Sequence, residues 1–147
     1  MKKDFKLQKV LEFRERKCEI NKKKLAELIT QKSDLDSKIQ SVLDDIKKNQ
    51  TEKDEKKGRF DFNLLRMYEL YIEKLEKRLK ELYQARETIL NDIEKQRKLV
   101  IDSINDVKIM EKLKENHVKN YLIYLNKQEL KLIDEMVISR FGKENGF

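Results

Sequence analysis

Residues 49–63 read NQTEKDEKKGRFDFN: a run of polar and charged residues with a glycine, Gly58, at its centre. Between Met1 and Gly142 the chain holds no proline and no other glycine. Everything outside this stretch is therefore free of the two residues that most readily interrupt a helix. Gly58 can take a positive φ as a helix C-cap or loop residue. Asp61 or Asn63, a few residues on, has the short polar side chain of a helix N-cap. A turn is expected over about residues 55–61, between a helix over about 5–54 and a second over about 62–141.

Both flanks carry apolar heptads. Before the turn, one row is Leu7, Arg14, Asn21, Leu28, Leu35, Val42 and Asn49. The other is Leu11, Cys18, Leu25, Lys32, Ile39 and Ile46. After the turn the rows are Tyr68, Leu75, Leu82, Ile89, Gln96, Ser103 and Met110, with Ile72, Leu79, Arg86, Ile93, Val100 and Val107. Such spacing, sustained over six heptads or so, is the a/d seam of a coiled coil. Arg14, Asn21, Lys32 and Asn49 weaken the first seam and are candidates for fixing its register. Two matched seams joined by a short connection predict an all-α fold, a long antiparallel two-helix coiled-coil hairpin in one unit spanning 1–147.

The turn is off-centre, so the second helix must outlast the first. At 1.5 Å per residue the helices would be roughly 75 Å and roughly 120 Å long. With the turn near Gly58, paired residue numbers sum to about 116, setting Ile46 near Leu70 and Leu7 near Ile109. Everything after about Met110 would then project past the N-terminus. That overhang is rich in apolar residues, among them Leu122, Leu125, Leu132, Ile133, Met136 and Phe141. Each such side chain gains roughly 1.5–3 kcal/mol on burial, so the overhang is a candidate docking segment. Self-association of two overhangs, or a fold-back, is the plainer alternative.

Composition narrows the function classes. Charged residues make up 43% of the chain, yet its regularly spaced Leu and Ile mark long helices rather than disorder. One cysteine, Cys18, excludes an internal disulfide, and its seam position predicts a small buried hydrophobe. The N-terminus lacks a signal-peptide apolar core and no run is long enough for a membrane span, so a cytoplasmic protein without direct membrane insertion is expected. The net charge of +7 is concentrated before the turn, where 17 Lys/Arg face 12 Asp/Glu over residues 1–57. Charges of both signs alternate, which reads as a solvated coiled-coil flank or a site for an acidic protein rather than a nucleic-acid stripe.

Catalytic and metal-binding patterns are missing. His117 and Cys18 are single residues of their kinds, so no Cys/His cluster forms. No glycine-rich loop precedes a helix, and the carboxylate pairs Asp44–Asp45 and Asp134–Glu135 lie on helices without a pocket. The expectation is a non-enzymatic protein with no cofactor.

Three stretches in order resemble one family. Phe5, Leu7, Val10, Leu11 and Arg14 resemble the opening F-x-L-x-x-V-L-x-x-R pattern of the flagellar export protein FliJ family. Residues 68–75, YELYIEKL, look like its aromatic stretch after the turn. EKLKE at 111–115, Tyr121, QELKLIDE at 128–135, and Arg140-Phe141 resemble its C-terminal signature. The resemblance spans the whole chain, although the alanine- or arginine-rich residues common at the end of such tails are replaced here by Gly142-Lys143-Glu144-Asn145-Gly146-Phe147.

The resemblance implies a component of the flagellar type III export apparatus. Its partners would be the hexameric export ATPase, the cytoplasmic domain of the export-gate membrane protein, and export chaperones. It would be peripherally associated with the inner membrane at the flagellar base, serving motility. By the same analogy Phe5, Leu7, Leu11 and Arg14 would meet the ATPase ring, together with Tyr121, Tyr124, Glu129, Asp134, Glu135, Arg140 and Phe141. Tyr68, Tyr71 and Leu75 would face the gate. Two other classes stay open: a generic structural coiled coil of two parallel straight chains, or an injectisome stalk protein, and a binder of nucleic acid or anionic surfaces through the basic first helix.

Overall fold

In the computed structural model the described residues are 1–56, 58 and 61–144. Residues 57, 59 and 60 of the expected turn and 145–147 of the expected tail lie outside them. Two helices account for nearly all of the chain: α1, Gln8–Glu55, and α2, Phe62–Glu144. The second is longer, 83 residues against 48. The residues group into two compact units: Met1–Glu19 with Asp102–Phe147, and Ile20–Ile101.

In the unit Ile20–Ile101 the helices run antiparallel. Low numbers on α1 meet high numbers on α2: Gln96 Nε2 donates to the Asn21 carbonyl at 3.0 Å, and Arg86 Nε to Asp36 Oδ1 at 2.7 Å. Nearer the turn, the Tyr68 hydroxyl donates to Glu52 Oε2 at 3.2 Å and Lys53 pairs with Glu69 at 3.5 Å. Lys56 Nζ lies 5.0 Å from the Tyr68 ring centroid but 2.7 Å from its hydroxyl, so this contact is a hydrogen bond rather than a cation over a ring face. Ile39, Ile72, Leu82, Ile93 and Val100 form the buried apolar seam. The other unit is antiparallel as well. Arg14 donates to the Asp106 carbonyl at 3.3 Å, beside buried Leu11, Cys18 and Met110.

Of the twenty-six heptad positions, only Leu7 is exposed. It precedes α1, whose first residue is Gln8 rather than about 5, so the helical phase does not reach it. These intrachain pairings replace the alternative of a straight helix paired in parallel with a second copy.

The polar seam members have distinct fates. Arg14 donates across to α2, and Asn21 Oδ1 accepts from Gln96 Nε2 at 3.4 Å. Lys32 pairs with Asp36 at 3.5 Å, which also receives Arg86. Asn49 bonds its own helix, donating to the Asp45 carbonyl at 2.7 Å. Among the described residues no buried side-chain nitrogen or oxygen lacks a partner. The contacts that cross to α2, Arg86 with Asp36 and Gln96 with Asn21, favour one register, because a slip costs about 1–3 kcal/mol for each buried group it leaves unpaired.

The turn decides between readings that the sequence left open. Gly58 does not adopt a positive φ, and a Cβ there would meet nothing within 4 Å, so neither strain nor crowding requires glycine. The cap of α2 is Asp61, not Asn63: the Leu64 N–H donates to Asp61 Oδ1 and the Leu65 N–H to its carbonyl, both at 3.2 Å. The turn is therefore centred later than Gly58. Cross-helix partners such as Glu52–Tyr68 and Arg14–Asp106 have numbers summing to about 120 rather than 116.

Two outcomes test this seam. Leu82→Ala, at a site 4% exposed, should lower the local opening free energy by about 2–3 kcal/mol, read by hydrogen exchange at the amides around residue 82. The Arg86 side-chain hydrogen bond holds the Asp36 carboxyl below its usual range, with Lys32 adding to the effect. A depressed folded-state pKa contributes stability that is present above about pH 4 and lost as pH falls through the folded value. Asp36→Asn should therefore be less stable than the natural chain at neutral pH, and the difference should shrink as pH falls below about 4.

Candidate docking surface

The expected ring-facing residues all lie in the unit Met1–Glu19 with Asp102–Phe147. They do not form one exposed face. Leu11 is 3% exposed and Arg14 is spent on the Asp106 carbonyl, so both serve the seam. Phe5 is half-buried, its ring 5.8 Å from that of His117. His117 Nε2 sits 3.1 Å from the Lys3 carbonyl, and since a carbonyl only accepts, this nitrogen carries the proton. Tyr121 and Tyr124 are half-buried with their rings 6.4 Å apart. Glu129, Asp134, Glu135, Arg140 and Phe141 are exposed.

These contacts move the start of the overhang. It was expected just after Met110, but residues 1–7 lie along α2, and the seam spacing continues through half-buried Lys114, His117, Tyr121 and Tyr124. Lys114 and His117 are polar, so periodicity of apolar residues alone does not reveal them. The aromatic Phe5, contacting His117, is the signal that could have done so. The uncovered segment is residues 125–141, every one of which is exposed.

Its chemistry differs from that of the seam. At the seam spacing, the positions after Tyr124 are Gln128, Lys131 and Glu135, all polar, and then Ile138, 71% exposed. Many of the apolar residues sit elsewhere on the helix: Leu122, Ile133, Met136 and Val137 centre roughly 140° around from the line of Tyr121 and Tyr124, and Leu125 and Leu132 extend that face back toward Tyr121. Their exposures run from 42% at Leu125 to 60% at Leu132. Scattered single exposures need no explanation, whereas a contiguous apolar face marks an interaction surface.

The expected gate-facing residues lie in the unit Ile20–Ile101 and split in the same way. Tyr68 and Leu75 are half-buried seam members, and Tyr68 is held by Glu52 and Lys56. Tyr71 is 44% exposed and, with Met67 and Leu70, shares an outward face of α2 that the heptad rows did not single out. Among the described residues no His, Cys, Asp or Glu cluster is arranged to hold a metal ion. Among the described residues no helix is long and apolar enough to cross a membrane.

A family model described as Flagellar FliJ protein matches residues 2–146. No curated protein and no solved structure shows a match to the chain.

The role of the first residues is open to measurement. Removing residues 1–7 strips His117 of both Lys3 and Phe5, so hydrogen exchange should accelerate at amides 114–121. Amides around Ile93 should keep their protection, and unchanged exchange at 114–121 would show that the N-terminal residues cover nothing.

Proposed function

The chain belongs to the flagellar FliJ family, a component of the flagellar export apparatus, and on that premise we propose that it links the export ATPase ring to the export gate. The uncovered face of α2 docks to the hexameric ATPase. The outward residues near the turn, Tyr71 foremost, meet the cytoplasmic domain of the gate protein, and export chaperones are further partners. The hairpin itself supplies no chemistry: it presents two different surfaces from one continuous helix. The single observation that supports this reading best is the exposed stretch 125–141, apolar on one side and left bare by its own chain.

Sorting the expected site residues by their burial sharpens the proposal. Leu11, Arg14, Tyr68 and Leu75 act indirectly, by holding the helices in register. Leu122, Leu125, Leu132, Ile133, Met136 and Phe141 carry the contact with the ring. This division matches the usual anatomy of an interface, where a few apolar anchors dominate and flanking charges tune approach and specificity.

Deleting residues 122–147 should abolish binding to the export ATPase while leaving most of the helical ellipticity, because the deeply buried seam ends at Met110. Retention of wild-type ATPase affinity by that truncation, measured by pulldown or calorimetry, would sink the ring-docking assignment.

A further inference from the structure

The bare face of α2 contains two ionised residues, Glu129 and Arg140, set among apolar ones. They are opposite in sign and eleven residues apart, three helical turns, so they project from one side of the helix within about 20° of each other. Ile133 and Met136 lie between them on the same face, 49% and 59% exposed. This arrangement has a specific symmetry. If a second helix of the same sequence is laid antiparallel, with a two-fold axis between Asp134 and Glu135, Glu129 meets Arg140 of the second copy and Arg140 meets its Glu129. Ile133 meets Met136 in the centre, again twice.

We infer that residues 125–141 form a self-complementary face through which two copies of this chain pair antiparallel, closed by two Glu129–Arg140 ion pairs. Three observations carry it. First, the charges on the face match their own image under a two-fold rotation, the pattern an isologous interface requires. Second, residues 122–141 hold Lys127, Lys131 and Arg140 against Glu129, Asp134 and Glu135, so the segment is electrically neutral despite the chain's +7. Two copies therefore meet there without net repulsion. Third, the face is turned away from the seam, whose continuation through Gln128, Lys131 and Glu135 is polar, so extending α1 coiled-coil fashion would not cover it. A parallel pairing is disfavoured by the same charges, since it sets Glu129 beside Glu129 and Arg140 beside Arg140.

The inference stands apart from the ATPase-docking proposal and is tested without the ring. Both uses draw on one surface, so a paired chain would be a form in which that surface is masked. In sedimentation equilibrium of the full chain at about 50 μM and about 0.15 M salt, the natural protein should be a dimer. Glu129→Arg and Arg140→Glu each turn both ion pairs into like-charge contacts, and each should weaken dimerisation at least about tenfold. The double variant should recover it. Mixed together, the two single variants should form a heterodimer, because every contact is then between opposite charges. Circular dichroism checks that the exposed substitutions leave helicity unchanged. A natural chain that stays monomeric, single variants that dimerise like it, or a mixture that forms no heterodimer would each overturn the proposal. A monomeric chain would leave the ring-docking reading untouched.

Discussion

A seam only two helices thick has no spare side chains with which to hide a polar group, and this constraint governs the rest of the molecule. Each polar residue placed at a heptad position must find a partner on the facing helix or on its own. Arg14, Asn21 and the Lys32–Asp36–Arg86 group reach α2 or are reached from it, and Asn49 turns back to Asp45. An all-leucine seam would bind more tightly per residue but tolerate sliding by a heptad. The polar members exchange some of that tightness for a single register. Once the register is set, so is the point on α2 where the first residues stop covering it.

Much of the fold is legible because the signals at different levels agree. The absence of proline, the heptads and the polar turn all say two helices, and every heptad position except Leu7 is covered. What the sequence conceals is position rather than type. Gly58 draws the eye as the marker of the turn, yet α2 is capped by Asp61 and the true centre lies later. A shift of two residues in the centre moves every cross-helix pairing by four. The second loss is at Lys114 and His117, where seam positions carry polar residues and the aromatic that contacts His117 comes from outside any helix. Candidate site residues follow the same logic. Motif resemblance collects buried and exposed residues alike, because a family pattern records what holds the scaffold as well as what touches partners. Burial then separates Leu11 and Arg14 from Phe141, and Tyr68 from Tyr71.

The change of face along α2 has a simple physical origin. A seven-residue repeat keeps the apolar line facing its partner only while the repeat persists. Over the next three repeat positions after Tyr124 (Gln128, Lys131 and Glu135) the repeat turns polar and most of the apolar residues take up a new line. One continuous helix thereby carries two differently placed apolar lines, without a hinge or a loop between them. Helix continuity through this change also fixes the angle between the two faces, so a partner gripping the bare end is oriented with respect to the local coiled coil.

Among the described residues no side chain is less than 2% exposed, not even the best-covered seam residues, Leu11 and Met110 at 3%. A globular domain of this length encloses a centre that water reaches only when the whole structure opens. Here each stretch of seam is supported by its immediate neighbours alone, in the manner of a repeat array. Melting can start at either end and advance turn by turn, so probes at different positions need not report one transition. The surface exposed per residue on unfolding is small, and the denaturant sensitivity should be correspondingly shallow for a chain of 147 residues. Such a molecule has no single melting temperature that belongs to all of it, and a partner clamped on the bare end would raise the stability of the turns beside it far more than of those remote from it.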